Sequence, residues 1–334
     1  MNIGLREIEY ILTIAEEGTI TRAAQKLYIA QPSLSQAVKK IEAEVRAPLF
    51  YRVKNRLQLT QEGELFVETG SRILKSIRDL ENSIQDLAHL QSGRLSVGMP
   101  YHLGAVFVPP AVTIFQRRYP NITLQLYESN SFDLENRILN GLIDLALIPL
   151  PVETPGLYSR SFFTSRIVLL VPQNDPLNQF ARDPQDGSRR KYFDLRNAEG
   201  HPFCIGNQGH RLRKVSEEIF SRAGITPRIA LYSKNIETIQ RLVAAGTGIA
   251  LVPDCYLLRD IDQLKTNCYY LEPEQDVIWS IGTAYLDTGY LSFATQSFLD
   301  ILNDLYGNHL SADGQVPIPH FGLSGIAGGA GLAG

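Results

Sequence analysis

Cysteine, methionine and tryptophan are scarce in this chain of 334 residues, at three, two and one. Cys204, Cys255 and Cys268 are an odd number at wide spacing, with no Cys-x-x-Cys pair and no Cys/His cluster. Neither a disulfide framework nor a zinc site is therefore expected, and the three read as buried thiols in a reducing cytoplasm. Long apolar runs are missing as well. The longest, such as residues 242–253, are too short to span a bilayer and are interrupted by glycine. Arg6, Glu7 and Glu9 stand inside the first apolar stretch, which excludes a signal peptide. Asn121-Ile122-Thr123 matches a glycosylation acceptor, but without export the match is chance. Catalytic signatures are absent too: there is no Gly-x-Ser-x-Gly, no His-Glu-x-x-His and no P-loop. Gly246-Thr247-Gly248 precedes a strand pattern rather than a helix, the wrong order for a dinucleotide fingerprint. The chain reads as a cytoplasmic non-enzyme with no cofactor, no metal and no membrane partner.

Charge is near balance, at −3 overall, but unevenly spread. Residues 18–60 hold eight basic side chains against Glu42 and Glu44, so this stretch is +6 and the remainder −9. A small basic module on an acidic body points to a polyanion partner at one end only. The remaining composition, 44% hydrophobic and 20% charged, supports packed cores, and the length suggests two or three domains.

Leu5, Ile8, Ile11, Leu12 and Ala15 follow the 3–4 spacing of one helix face, and Gly18 stops that helix. Thr19 or Thr21 can cap a second helix with Ala23, Ala24 and Leu27 inward. After a break at residues 28–30 a third begins, with Pro32 in its first turn, where a missing N–H costs nothing. Leu34, Val38, Ile41 and Val45 form its inner face. Gln31, Ser33, Ser35, Gln36, Lys39 and Lys40 face outward. Gln and Ser can hydrogen-bond base edges and Lys can neutralise phosphates, although an ordinary solvated face would look similar. Tyr51 to Thr60 then alternates apolar Val53, Leu57 and Leu59 with Arg52, Lys54 and Arg56, the pattern of a basic hairpin or wing. Gln31, Pro32, Ser33, Ser35, Gln36, Lys39, Arg52, Lys54 and Arg56 are the candidate DNA contacts.

Thr60 caps a long helix. Phe66, Gly70, Ile73, Ile77, Leu80, Ile84 and Leu87 are spaced 4, 3, 4, 3, 4, 3, a heptad seam that calls for a partner helix. Phe66, Ile73, Ile77, Leu80, Ile84 and Leu87 are the expected dimerisation residues, and Gln91-Ser92-Gly93 the linker. Beyond residue 94 short strands alternate with helices. Strand runs fall at 95–99, 122–127, 143–148, 157–163 and 167–172, followed by a polar loop at 173–200. A second set comprises strands at 203–206, 228–232, 248–252, 269–271 and 278–285. Helices are expected at 104–119, 132–140, 210–223, 235–245 and 290–306. Such βαβ units build parallel sheets, and two lobes joined by two crossings leave a cleft at the strand ends. Six of the last fourteen residues are Gly, so the tail from about 311 is expected to be disordered or a remnant.

The order helix-turn-helix, wing, long helix and two-lobe α/β domain resembles the LysR-type transcriptional regulators. The motifs that carry it are Ala23-Ala24-Gln25-Lys26-Leu27, Gln31-Pro32-Ser33-Leu34-Ser35, Pro48-Leu49-Phe50 and Leu59-Thr60-Gln61-Glu62-Gly63. Pro109-Pro110, Phe115 and Tyr119-Pro120 add to it. The resemblance implies an α/β multidomain protein in four parts. These are a winged helix-turn-helix (1–60), a coiled-coil linker helix (61–92), a periplasmic-binding-protein-like effector domain (93–308) and a Gly-rich tail (309–334). The effector domain's first lobe would take about 93–163 and 273–308, and its second about 164–272. It implies a bacterial, cytoplasmic homodimer or homotetramer on double-stranded promoter DNA, with RNA polymerase as a further partner, and with a small anionic metabolite as co-inducer. The effector candidates are Pro100, Tyr101, His102, Ser131, Pro149, Asn207, Gln208 and His210. Three positions depart from the family: Ala30 for a capping Ser, Arg46 for a helix-ending Gly, and Met99-Pro100-Tyr101-His102 for a hydroxyl-bearing loop. The last implies ligand chemistry of its own at this lip. A stand-alone solute-binding protein is the alternative; it explains residues 94–306 but neither the basic wing nor the heptads.

Overall fold

The computed structural model describes residues 3–54, 56–87, 92–184, 190–258, 265–287 and 290–307. The tail at 309–334, Asn55, Gln91 and the Leu87 side chain lie outside the described parts. Helix α1 (Leu5–Glu17) buries Ile8, Ile11 and Ile14 and ends at Gly18, whose φ of +67° an L side chain adopts only with strain. Thr19 caps α2 (Ile20–Lys26), its Oγ1 accepting from the Arg22 N–H at 3.3 Å. Helix α3 (Gln31–Val45) starts at Ala30 with no side-chain cap and buries Leu34, Val38 and Ile41 against the first two helices. Arg46 ends it at φ +58°. Strands β1 (Phe50–Val53) and β2 (Arg56–Leu59) pair antiparallel as the wing.

Thr60 opens α4 (Gln61–Leu87), accepting from the Gly63 N–H at 3.0 Å and donating to the Pro48 carbonyl at 2.6 Å. Gly63 is required there: a Cβ would lie 2.1 Å from the Leu49 carbonyl oxygen. The heptad seam is divided by the fold. Phe66 packs half-buried against the N-terminal core, and Gly70 lies against Ile8 and Leu12 of α1. This part of the seam is covered within the chain, because α1 needs an apolar neighbour. Ile73, Leu80 and Ile84 stay 42%, 57% and 58% exposed, with Ile77 half-buried between them. On another side, α4 meets the α/β part. Arg78 donates to the Gly141 carbonyl, and Asp86 accepts from the Tyr290 hydroxyl at 2.8 Å and the Phe293 N–H at 3.0 Å.

The α/β part opens with β3 (Gly93–Met99), α5 (Tyr101–Arg118), β4 (Ile122–Glu128), α6 (Ser131–Leu139) and β5 (Leu145–Pro149). Gly93 thus belongs to a strand. Strand β6 (Leu157–Pro172) is continuous where two strands are expected. Its polar middle, Thr164, Ser165 and Arg166, stays extended because it pairs with Ser280, Trp279 and Ile278 of β12 (Ile278–Leu286). Residues 173–200 hold two 3-10 turns, Pro176–Phe180 and Leu195–Ala198, and β7 (Tyr192–Phe193), with Leu177, Phe193, Leu195 and Ala198 buried. There follow β8 (Pro202–Gly206), α7 (Arg211–Ala223), β9 (Arg228–Ser233), α8 (Ile236–Ala244), β10 (Ala250–Pro253) and β11 (Thr266–Leu271). After β12, α9 (Phe293–Tyr306) is capped by Ser292 and begins three residues later than its pattern suggests.

The sheet order is β4-β3-β5-β12-β6-β11-β7, with β10 also on β6 and β8 paired to β9. A Phe203–Ile249 bridge sets β8 beside the β10 approach. The first three strands are parallel, but β12 and β6 run antiparallel, so the sheets are mixed rather than wholly parallel. The reason is the two crossings: a strand that returns between lobes must reverse direction. The N-terminal half of β6 completes the first lobe, and its C-terminal half carries β10 and β11 of the second.

Candidate nucleic-acid interface and effector cleft

Gln31, Pro32, Ser33, Gln36 and Lys39 are exposed along α3, and Ser35 is half-buried. Arg52, Lys54 and Arg56 are exposed on the wing, and these three and Lys39 form no ion pair among the described residues. Lys26, by contrast, is tied to Glu16 and Glu17 at 2.8 and 3.0 Å. Motif reasoning passed over Tyr28, which sits in the turn before α3 at φ +55° and is 96% exposed. An isolated exposed aromatic has no periodicity to reveal it.

A cleft of about 540 Å³ lies where the C-terminal strand ends of the two lobes face each other. Pro100, Tyr101, His102, Ser131, Pro149, Gln208 and His210 all line it, from the end of β5, the turns after β3 and β8, and the first turns of α5 and α6. Asn207 does not: its N–H donates to the Ser233 carbonyl at 3.1 Å, one residue past the end of β8, and its Oδ1 is buried. Ser131 opens α6, but the cap is Asn130, whose Oδ1 accepts from the Asp133 N–H at 3.0 Å. Asn before a helix is a readable cap signal. The walls also include Arg211, Lys234, Ile236, Tyr256 and Trp279. Tyr256 and Trp279 carry no sequence signal, since only the β6–β12 pairing brings position 279 to the floor.

Polar contacts bridge the lobes at this cleft. His102 Nε2 accepts the Ile236 N–H at 2.9 Å, satisfying a helix-start donor of α8. Burial, and then the neighbouring His210, lowers the His102 pKa to about 4, so the imidazole is neutral with a bare Nε2. Burial, then Lys234, lowers His210 as well. Arg211 of α7 pairs with Glu135 of α6 at 3.0 Å, their side chains 11% and 5% exposed. Arg211 also donates to the Pro151 carbonyl and Thr154 to Glu135. Cys204 and Cys255 are buried and Cys268 partly so; burial raises the first two thiols, the opposite of a reactive thiolate. Among the described residues no cluster of metal-ligating side chains exists, and no helix is long and apolar enough to cross a membrane.

A winged helix-turn-helix with an unpaired basic face, carried on a long helix beside a two-lobe α/β cleft, defines a DNA-binding regulator with an effector domain. Comparison with known families agrees. The family "Bacterial regulatory helix-turn-helix protein, lysR family" matches residues 5–64, and the LysR substrate binding domain matches residues 88–306. The chain is 30% identical over 306 residues to the HTH-type transcriptional regulator YcgK of Bacillus subtilis, covering 89% of this chain and 93% of that protein. A full-length OxyR variant from Pseudomonas aeruginosa shares the fold at TM-score 0.67 and 24% identity, with 91% and 94% of the two chains covered. CbnR, a LysR family transcriptional regulator, does so at TM-score 0.62 and 20% identity, with 90% and 99% covered. The chain belongs to the LysR family of transcriptional regulators, proteins that bind DNA, carry an effector-binding domain and are not enzymes.

Proposed function

We propose that the chain is a cytoplasmic homo-oligomeric regulator that reads promoter DNA with α3 and the wing, and whose DNA-bound state is set by a small organic anion in the cleft. The observation that carries this is the pairing of an exposed basic face without carboxylate partners with a cleft lined by helix starts from both lobes. Gln31, Pro32, Ser33, Ser35 and Gln36 would face base edges, and Lys39, Arg52, Lys54 and Arg56 phosphates. Ile73, Ile77, Leu80 and Ile84 would pair α4 with a second copy, presenting two reading helices about one DNA turn apart. The division at 1–60, 61–92 and 93–308 suits these three tasks, and RNA polymerase is the partner expected of a DNA-bound regulator. In the cleft, Pro100, Tyr101, His102, Ser131, Pro149, Gln208 and His210 would meet the effector, without Asn207. The effector must favour one lobe arrangement over another to regulate.

The test is DNA binding against salt concentration. Lys54→Ala with Arg56→Ala should weaken binding across sequences and lower the log–log salt slope by about one per lost phosphate contact. An unchanged slope removes the wing from the DNA interface.

A further inference from the structure

We propose, resting on the DNA-facing reading above, that Tyr28 is a further contact to the DNA backbone, its hydroxyl donating to a phosphate beside the groove that α3 enters and its ring lying on the adjoining sugar. Within its own chain this side chain has no use. Tyr28 is 96% exposed, and among the described residues its hydroxyl has no hydrogen-bond partner and its ring no aromatic or cationic neighbour. Its backbone adds to the cost. Helix α2 is capped by Leu27, after which the Tyr28 N–H donates to the Gln25 carbonyl at 3.2 Å and the Ile29 N–H to the Ala24 carbonyl at 3.0 Å. That pair of hydrogen bonds puts the residue after the cap in the left-handed region, where glycine is the ordinary choice. Gly18 and Gly224 take that conformation at the ends of α1 and α7. Here Tyr28 takes it, at φ +55°. Leu27 and Ile29 on either side pack against the N-terminal core, so the turn leaves Tyr28 in solvent. Arg46, in the same conformation at the end of α3, gains from its charge at a helix C-terminus; a neutral phenol gains nothing of the kind. A side chain that is strained in its backbone and idle in packing points to a contact outside the chain.

The surroundings identify the occupant. Tyr28 stands three residues before Gln31, so at most about 10 Å of chain separates them. A major groove is about 12 Å wide. With the first turn of α3 on base edges, the Tyr28 ring therefore reaches a strand of phosphates that walls the groove. Arg22 on α2, Lys39 on α3 and Arg52 on the wing are exposed and form no ion pair among the described residues. This face is positive and open to a polyanion, and Tyr28 is continuous with it. A tyrosine hydroxyl can donate to a phosphate oxygen, and with two torsions the ring loses little freedom on binding. Such a contact fixes the register of α3 without reading sequence.

The experiment uses the full chain and two duplexes of equal length, one enriched by the wild-type protein from a random pool and one of mixed sequence. Affinity is read by fluorescence anisotropy across a salt series. Tyr28→Phe, which removes only the hydroxyl, should bind both duplexes roughly tenfold more weakly, and Tyr28→Gly at least as weakly. A phenol carries no charge and displaces no counterion, so both variants should keep the wild-type salt slope. Tyr28→Gly should melt no lower than wild type, since glycine suits the left-handed turn. Tyr28→Phe keeps both ring and turn, so its binding is free of any folding defect. Wild-type affinity in Tyr28→Phe overturns the proposal, as does a loss confined to the enriched duplex, which would make Tyr28 a base reader. A lower melting midpoint for Tyr28→Gly, or loss of an oligomer in light scattering, overturns it too, assigning the residue to the fold or to a second copy. Lys54→Ala with Arg56→Ala on the same duplexes separates the two levels. If that variant lowers the slope while Tyr28→Phe binds as wild type, the interface stands and Tyr28 leaves it. If neither changes binding, both readings fall.

Discussion

The two candidate functional regions are assembled in opposite ways. The proposed DNA-facing side chains lie between residues 31 and 56, on one helix and the hairpin that follows it. The cleft draws on residues from 100 to 279, carried by strand ends, turns and helix starts of both lobes and by β12. The first region depends on local signals: a helix period, a cap and an alternation. The second depends on which strands pair at long range. A substitution in the first should therefore change binding with little effect elsewhere, whereas one in the second should change stability, closure and ligand binding together.

The strongest way to break that contrast is the ion pair between the lobes. Glu135→Ala leaves Arg211 largely buried without its carboxylate, and breaking a buried pair from one side costs about 3–5 kcal/mol. Urea denaturation of the full chain should show that loss; a midpoint near wild type would mean the lobes do not rely on this contact. Next comes Leu80→Asp. Leu80 is 57% exposed in the protomer, so the change is tolerated there, but a paired α4 would have to bury the new charge. Dimer dissociation should rise by roughly 100-fold, or about 3 kcal/mol, in light scattering across a dilution series. A dimer as tight as wild type would remove the exposed stripe from the assembly surface.

A smaller effect sharpens the comparison through pH. His102 has an ordinary pKa of 6.5, lowered in the folded protein to about 4 by burial and by His210. Between these values the unfolded chain binds the proton and the folded chain does not. The contribution to stability is thus complete above about 6.5 and is lost as pH falls toward 4. From pH 7 to 5 the loss should be on the order of 1–2 kcal/mol, and His102→Gln should flatten that part of the profile. Melting curves with the same slope in both proteins would assign the acid sensitivity to other groups. The smallest expected effect lies in the DNA-binding region. Ala30 starts α3 with extended dihedrals and no side-chain cap, so Ala30→Ser should add about 1 kcal/mol. Thermal melting of the full chain would register this gain, and no gain would mean that the first turn is satisfied by water.

Much of the fold was readable because local physics sets it. The pattern of Leu34, Val38 and Ile41 placed α3, Thr60 placed the start of α4, and the run from Tyr51 to Thr60 gave the wing, each matched by the structure within a residue or two. The heptads of α4 were readable as a pattern but not in their use. Helix periodicity says which face is apolar, not that α1 would take Phe66 and Gly70 and leave Ile73, Leu80 and Ile84 exposed. The end of β3 put Tyr101 and His102 at the cleft by topology, although α5 starts at Tyr101, three residues before its pattern suggests. Asn207 was misplaced because one residue decides whether a strand has ended.

The sequence by itself determined the class of protein, the winged helix-turn-helix with its exposed basic face, and the presence of two α/β lobes. These rest on short-range periodicity, caps and charge, which are written in contiguous residues. Only the tertiary structure decided that β6 runs unbroken between the lobes, that Arg211 meets Glu135, that His102 accepts from Ile236, and that Trp279 forms the floor. Each of those joins residues more than 70 positions apart or depends on strand pairing. Such contacts follow from how sheets close on a shared core, a global condition that no local pattern encodes.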